Sequence, residues 1–168
     1  ATSAQGGLLV MGGVAGVSAG SRVSLRDHAG ILRNGLVIRS ADDAVLVEVL
    51  QGEAGVTMGD LEYIRTLRTI CDKQEWLFMI DEVQCGIGRT GKWFGFQHAD
   101  VKPDVITLAK GLGSGVPIGA CVAAGRATGV FGPGNHGSTF GGGPLVCAAS
   151  LATLQAIEDE DLMEKSTQ

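Results

Sequence analysis

The sequence has 168 residues, about the size of one domain and long enough to bury a core without disulfide bonds. Apolar residues make up 45% of the chain and charged residues 18%, a composition that excludes a disordered chain. The net charge of −5 argues against a nucleic-acid-binding protein, because such proteins need a basic surface. Glycine accounts for 27 of the 168 residues, against a usual share of about 7%. We therefore expect tight turns or close approach of the backbone to a ligand.

The cysteine and charge patterns indicate the cellular compartment of the protein. The four cysteines are widely spaced and form no C-x-x-C pair, which indicates a reduced, cytoplasmic protein rather than a disulfide or zinc framework. Residues 1–21 and 127–157 carry no charge, but glycines interrupt both stretches. We therefore expect no signal peptide, no membrane span and no nucleic-acid partner. The three histidines lack metal-ligand spacing, so we also expect no metal site.

Four short apolar runs are typical of buried strands, at residues 45–50, 76–80, 105–109 and 117–123. Because these runs are almost entirely apolar and are interleaved with helical sequence, they predict an α/β fold with a mostly parallel sheet and flanking helices. The glycine-rich residues 1–43 favour no particular element. The sequence therefore predicts one domain, or part of one, over residues 44–168.

Two segments have helical spacing. Asp60 is positioned to cap a helix whose apolar stripe comprises Tyr63, Leu67, Ile70 and Cys71. Pro144 suits the first turn of a second helix, which we expect to run to about residue 158.

Two ionisable residues follow predicted strands. Asp81 comes after residues 76–80, and Lys110 comes after residues 105–109. In open α/β sheets, ligands bind outside the carboxyl ends of the strands. A charge at a strand end is more often solvated or paired than functional. A lysine that closes a buried strand is more suggestive, since desolvation makes its amine a usable nucleophile.

Residues 86–91 match the pattern G-x-G-x-x-G of dinucleotide-binding proteins. The context does not fit, because that motif directly follows a strand and opens a helix. Here residues 81–85 separate the predicted strand from the first glycine. A nicotinamide-binding domain therefore remains a weaker alternative.

Several motifs together point to a family. They are Asp81-Glu82-Val83-Gln84, Gly88-Arg89-Thr90-Gly91, Thr107-Leu108-Ala109-Lys110-Gly111, the upstream Gln51-Gly52-Glu53 and the downstream Gly137-Ser138-Thr139-Phe140-Gly141-Gly142. In this order, between about residues 44 and 160, they resemble class III pyridoxal-phosphate-dependent aminotransferases. Within that family, the resemblance is closest to the subgroup that acts on acetylornithine. It implies part of the large domain of the fold type I pyridoxal-phosphate-dependent transferases.

The resemblance implies roles for Asp81, Val83 and Gln84 of the first motif and for Lys110. Lys110 would bind pyridoxal 5′-phosphate covalently and move a proton between the substrate α-carbon and the cofactor. Asp81 would pair with the pyridine nitrogen and keep it protonated, which only a fixed negative charge achieves. Val83 would pack on the ring, and Gln84 would donate a hydrogen bond to its phenolic oxygen. The spacing of Asp81, Val83 and Cys85 suits side chains that face one side.

The outer motifs carry further implied roles. Thr139, with Ser138, would reach the cofactor phosphate of a neighbouring subunit, which implies a homodimer with shared active sites. Glu53 resembles a glutamate that gates the substrate site by pairing with a substrate-binding arginine. A serine-threonine turn and a solvated turn acid are the plain structural alternatives for these residues.

The expected activity is transfer of the terminal amino group of N-acetylornithine, or a related ω-amino acid, to 2-oxoglutarate, as in arginine biosynthesis. Members of the family are more than twice as long as this sequence. The phosphate-binding loop and the carboxylate-binding arginine of the family have no match in it. We therefore expect a partial chain, or else a truncated relative that folds and self-associates without turnover.

Overall fold

The computed structural model describes residues 2–4, 8–10, 21–26, 32–41, 44–52, 55–130, 132–133, 135 and 141–167. The strands are β1 (Thr2–Ala4), β2 (Leu8–Val10), β3 (Ser21–Arg26), β4 (Leu32–Ala41), β5 (Ala44–Glu48), β6 (Leu50–Gln51), β7 (Thr57–Met58), β8 (Leu77–Asp81), β9 (Val105–Leu108) and β10 (Ala120–Ala123). The α-helices are α1 (Leu61–Lys73), α2 (Pro144–Asp159) and α3 (Leu162–Lys165). Short 3-10 helices cover Gly95–His98, Lys110–Gly113 and Gly125–Ala127.

Six strands form the main sheet, in the order β10-β9-β8-β5-β4-β3. Its centre is parallel, because β8 pairs in parallel with β5 on one side and with β9 on the other. Strand β10 runs antiparallel to β9, and β4 runs antiparallel to both β5 and β3. The segment between β9 and β10 is too short for the helical crossover that parallel strands need, so it returns the chain in the opposite direction. The predicted α/β class is confirmed, and β3 and β4 add strands where the sequence favoured none.

Helix α1 links β5 to β8 and covers one face of the sheet. Asp60 caps it as predicted, and its carboxylate accepts the backbone N–H groups of Glu62 at 2.8 Å and Tyr63 at 3.2 Å. Its buried side chains are Tyr63, Ile64, Leu67 and Cys71. The predicted stripe is therefore correct except at Ile70, which is half-buried while Ile64 is fully buried.

The two faces of the sheet carry separate apolar clusters. The larger cluster packs under α1 and includes Val47, Ile80 and Ile106. The smaller cluster lies on the opposite face and comprises Ala44, Leu46, Met79, Val105 and Ala127. Because side chains alternate along a strand, the residues two positions beyond Leu46, Met79 and Val105 also face the smaller cluster. That alternation decides which polar residues meet at the carboxyl edge.

A charged cluster ties the elements together at the opposite edge, where β8 and β9 begin. Asp104 accepts hydrogen bonds from the Phe78 backbone N–H at 2.8 Å, from Arg68 at 2.8 Å and from Arg126 at 3.1 Å. Asp72 of α1 also accepts from both arginines, at 2.6 and 2.9 Å. The Arg68 guanidinium lies 5.2 Å above the centre of the Phe78 ring. This amino-edge clamp joins α1, two strands and the 3-10 helix of residues 125–127.

Candidate active site

Three polar residues lie side by side where the parallel strands end. Glu48 of β5 pairs with Asp81 of β8, and Asp81 pairs with Thr107 of β9. Paired residues on neighbouring strands point to the same face, here that of the smaller cluster. We call Glu48, Asp81 and Thr107 the carboxyl-edge row. It occupies the edge at which open α/β sheets bind ligands.

Asp81 is half-buried at the end of β8. Its Oδ1 atom accepts the backbone N–H of Val83 at 2.9 Å, which closes a short turn directly after the strand. Because the strand ends here, the alternation expected for Asp81, Val83 and Cys85 does not continue. Val83 is half-buried, whereas Cys85 is fully buried and points into the core. The expectation that Cys85 faces the same side as Asp81 is therefore wrong.

Gln84 is held close to the loop that follows β6. A Cβ atom added to Gly52 would lie 2.9 Å from Gln84 Cδ and 3.0 Å from its Oε1 atom. The absence of a side chain at position 52 therefore allows the amide group of Gln84 to pack against the backbone. This contact brings together the motif around Gly52 and the motif around Asp81, as expected if both serve one site.

Glu82 is a buried carboxylate that the sequence analysis did not single out. It is 1% exposed, and it accepts hydrogen bonds from the backbone N–H groups of Gly95 at 2.8 Å and Phe96 at 2.9 Å, and from the Cys85 thiol at 2.9 Å. Burial raises the pKa of Glu82, and these three donors oppose that rise. Burial and the adjacent Glu82 also raise the pKa of the Cys85 thiol. Glu82 thus anchors the segment after Asp81 to the loop around Gly95.

Lys110 lies two residues beyond β9, at the start of a 3-10 helix that packs against α2. Its side chain is exposed, whereas the sequence predicted a desolvated amine. Its φ angle is +41°, in the left-handed region that non-glycine residues rarely adopt. Backbone strain of this kind concentrates at functional sites.

The glycine-rich loop of residues 86–91 forms turns rather than the start of a helix. A Cβ atom on Gly86 would lie 2.8 Å from the Glu82 carbonyl oxygen, and Gly88 and Gly91 have φ angles of +79° and +82°. These glycines therefore serve tight turns, and the loop lacks the strand-to-helix context of a dinucleotide site. A Cβ atom on Gly111 would lie 3.5 Å from Ile87, so the loop packs against the segment that begins at Lys110.

Three residues predicted for the site, Glu53, Ser138 and Thr139, lie outside the described residues. The described residues do bring Asp81 and the Lys110 segment to one edge of the sheet, since the residue paired with Asp81 precedes Lys110 by three positions. Thr107 and Glu48 were missed as individual candidates. Each is the one polar residue of an otherwise apolar strand, and that signal could have identified both.

Neither a metal-binding cluster nor a membrane-spanning helix is found in the part of the chain that the structure describes. No group of histidine, cysteine, aspartate or glutamate side chains there is arranged to hold a metal ion. No helix there is both long enough and apolar enough to cross a membrane.

Comparison with known sequences identifies the class of protein. The sequence model of the family described as aminotransferase class-III matches residues 37–168. The chain therefore belongs to the class III aminotransferase family, which depends on pyridoxal phosphate, and the resemblance inferred from the motifs is confirmed. The chain is 63% identical over 123 residues to the acetylornithine aminotransferase of Nitrosomonas europaea, an alignment covering 73% of this chain and 31% of that enzyme. It is 50% identical over 131 residues to that of Methanopyrus kandleri, covering 76% and 34%.

Solved structures agree with this assignment. The acetylornithine aminotransferase of Elizabethkingia anophelis superimposes with a TM-score of 0.65 at 45% identity, covering 71% of this chain and 31% of that one. The ornithine aminotransferase of Plasmodium yoelii gives a TM-score of 0.67 at 45% identity, covering 71% and 32%. The chain thus spans about a third of the length of the relatives it matches.

Proposed function

We propose that this protein transfers the terminal amino group of N-acetylornithine, or a related ω-amino acid, to 2-oxoglutarate, as in arginine biosynthesis. The observation that carries the proposal is the juxtaposition of Asp81 and the Lys110 segment at one edge of the sheet. An amine and a carboxylate at that edge are the two groups this chemistry needs. The high identity to several acetylornithine aminotransferases supports the choice of amino donor.

The described residues fit a pyridoxal-phosphate cofactor. Lys110 offers a primary amine for the aldehyde, Asp81 a half-buried carboxylate for the ring nitrogen, and Gln84 an amide for the phenolic oxygen. When bound, the cofactor supplies an electron sink for the carbon from which a proton is removed. Residues 44–168 would then form part of the large, cofactor-binding domain.

Each of these side chains has a role that follows from its chemistry. Lys110 holds the cofactor and moves the proton at its Nζ atom, a role that needs an amine able to lose its own proton. Asp81 holds a proton on the ring nitrogen, because a fixed negative charge favours the protonated form. Its hydrogen bond from Val83 fixes the carboxylate in place. Val83 would pack on the ring, and Gln84, which is held against Gly52, would orient it.

The remaining roles concern substrate and subunit contacts. Glu53 would gate the substrate site, and Ser138 and Thr139 would reach the phosphate of a neighbouring subunit in a homodimer. The apolar side chains Leu145 and Leu151 of α2 are 78% and 68% exposed, which supports an additional protein surface covering this helix. All four cysteines are free, in keeping with a cytoplasmic enzyme.

The covalent role of Lys110 can be tested directly. Borohydride reduction of the protein loaded with pyridoxal phosphate, followed by peptide mapping, should place the label on Lys110. Lys102 is a matched control, because it is an exposed lysine at the opposite end of β9. Lys102→Ala should keep the label and Lys110→Ala should lose it. A label on another lysine, or none with cofactor in excess, would refute the assignment.

Turnover separates the proposed function from a truncated relative that folds without activity. The full-length polypeptide containing this chain should convert acetylornithine and 2-oxoglutarate at ordinary enzymatic rates, on the order of 1–10³ per second. Correct labelling of Lys110 without turnover would favour the inactive relative. The identity to functional aminotransferases makes that alternative the less favoured one.

A further inference from the structure

A buried hydroxyl group in the candidate site has no hydrogen-bond partner among the residues that the structure describes. Three buried side-chain polar atoms lack a hydrogen bond among the described residues, and they belong to Tyr63, Arg68 and Thr107. The first two side chains are on α1, which packs on the far face of the sheet. Thr107 is in the carboxyl-edge row, directly beside Asp81.

The hydrogen bonds around Thr107 involve groups other than its Oγ1 atom. The backbone carbonyl of Thr107 accepts the N–H of Glu82 at 3.0 Å, so the main chain is satisfied while the hydroxyl group is not. The Asp81 carboxylate accepts the Val83 N–H group at Oδ1, and no hydrogen bond joins it to the Thr107 hydroxyl group. The other residues of β9 are apolar. A buried hydroxyl left in this state destabilises the fold.

We propose that Thr107 is a further binding residue of the site, whose hydroxyl group forms a hydrogen bond to a polar atom of the cofactor held by Asp81. The proposal rests on the proposed function. It follows from the side-by-side pairing of Thr107 with Asp81 on one face, and from the general rule that buried polar groups find a partner. The cofactor supplies the missing hydrogen-bond partner. Its binding therefore removes the free-energy cost of burying the Thr107 hydroxyl group without a hydrogen bond.

The proposal predicts opposite effects on binding and on stability. Thr107→Val replaces the hydroxyl group by a methyl group of the same shape, so the unliganded protein should unfold at the same urea concentration or a higher one. Its affinity for pyridoxamine 5′-phosphate should fall about tenfold, which corresponds to ~1.4 kcal/mol. This probe binds without a covalent bond to lysine, so calorimetry measures the hydrogen bond apart from Lys110. Thr107→Ser keeps the hydroxyl group and should restore the affinity.

The outcomes separate this inference from the proposed function. If the unaltered full-length protein does not bind pyridoxamine 5′-phosphate, the proposed function itself fails. If the unaltered protein binds it and Thr107→Val binds equally well, the role of Thr107 is refuted. A Thr107→Val protein that unfolds at clearly lower urea, with unchanged affinity, would show that the hydroxyl group has a structural partner instead.

Discussion

Asp104 is the residue on which the amino-edge clamp depends, and Asp104→Asn tests its contribution to stability. The carboxylate accepts three hydrogen bonds, two of them from the guanidinium groups of Arg68 and Arg126. Its side chain is 12% exposed, and that of Arg68 is 13% exposed. In the asparagine variant, the amide oxygen can still accept from Phe78. The amide nitrogen instead faces an arginine donor, and both guanidinium groups lose a counter-charge.

The magnitude follows from these contacts. Removing one partner of a buried ion pair costs about 3–5 kcal/mol. Asp72 still pairs with Arg68, and Arg126 is 35% exposed, so both contacts are partly compensated. We therefore expect Asp104→Asn to lower the free energy of unfolding by about 2–4 kcal/mol at neutral pH. Urea denaturation followed by circular dichroism measures the change.

A matched control and a pH series sharpen this test. Asp72→Asn removes the same charge from a side chain that is 60% exposed, so it should cost no more than about 1 kcal/mol. Burial acts to raise the pKa of Asp104, but the Phe78 N–H group and the two arginines outweigh it and lower the pKa below its usual value of 3.8. The stabilisation is therefore fully present above pH 3.8 and is lost as the pH falls through the lowered pKa. If Asp104→Asn and Asp72→Asn lowered the free energy of unfolding equally at neutral pH, the reasoning would be refuted.

Two further substitutions probe the candidate site. Asp81→Asn keeps the shape of the side chain but removes its charge. Turnover should therefore fall by several orders of magnitude, or ~4–7 kcal/mol in activation free energy, while the stability to urea is retained. Turnover above about a tenth of normal would contradict the role of Asp81. Gly52→Ala should displace the amide of Gln84, since the new Cβ would lie 2.9 Å from its Cδ atom. Cofactor affinity should then fall in calorimetry with little loss of stability, whereas Gly129→Ala, in open space, should change neither.

The central part of the fold was predictable because apolar runs and helical spacing reflect burial directly. The strands at residues 45–50, 76–80 and 105–109 were predicted close to their observed positions, and the Asp60 cap was correct. Strand β10 is shorter than residues 117–123, because pairing with β9 begins only at Ala120. The antiparallel strands β3 and β4 carry arginine, serine and asparagine among their apolar residues, so neither contains the long apolar run by which the other strands were predicted.

The candidate site was predictable to the extent that family motifs carry it. Asp81 and Lys110 were recognised because they follow apolar strands within known motifs. The exposure of Lys110 was not predicted, because burial beyond a strand end depends on which elements pack there. Glu82 was missed because its significance lies in contacts across the fold, with the backbone of residues 95 and 96. Thr107 was missed although it is the one polar residue of an apolar strand. The division of the chain at residue 43 stays a prediction.

The two ends of β9 show how this fold separates stability from function. Asp104 precedes the strand, and its carboxylate is bound by three donors that join α1, β8 and the segment around Arg126. Thr107 lies three residues further on, and its hydroxyl group is bound by no described residue. Removing the polar group should therefore destabilise the protein at the first position and leave it equally or more stable at the second. Natural proteins tolerate such local conflicts mainly at functional sites. The contrast between Asp104 and Thr107 supports the proposed binding edge at the carboxyl ends of the strands.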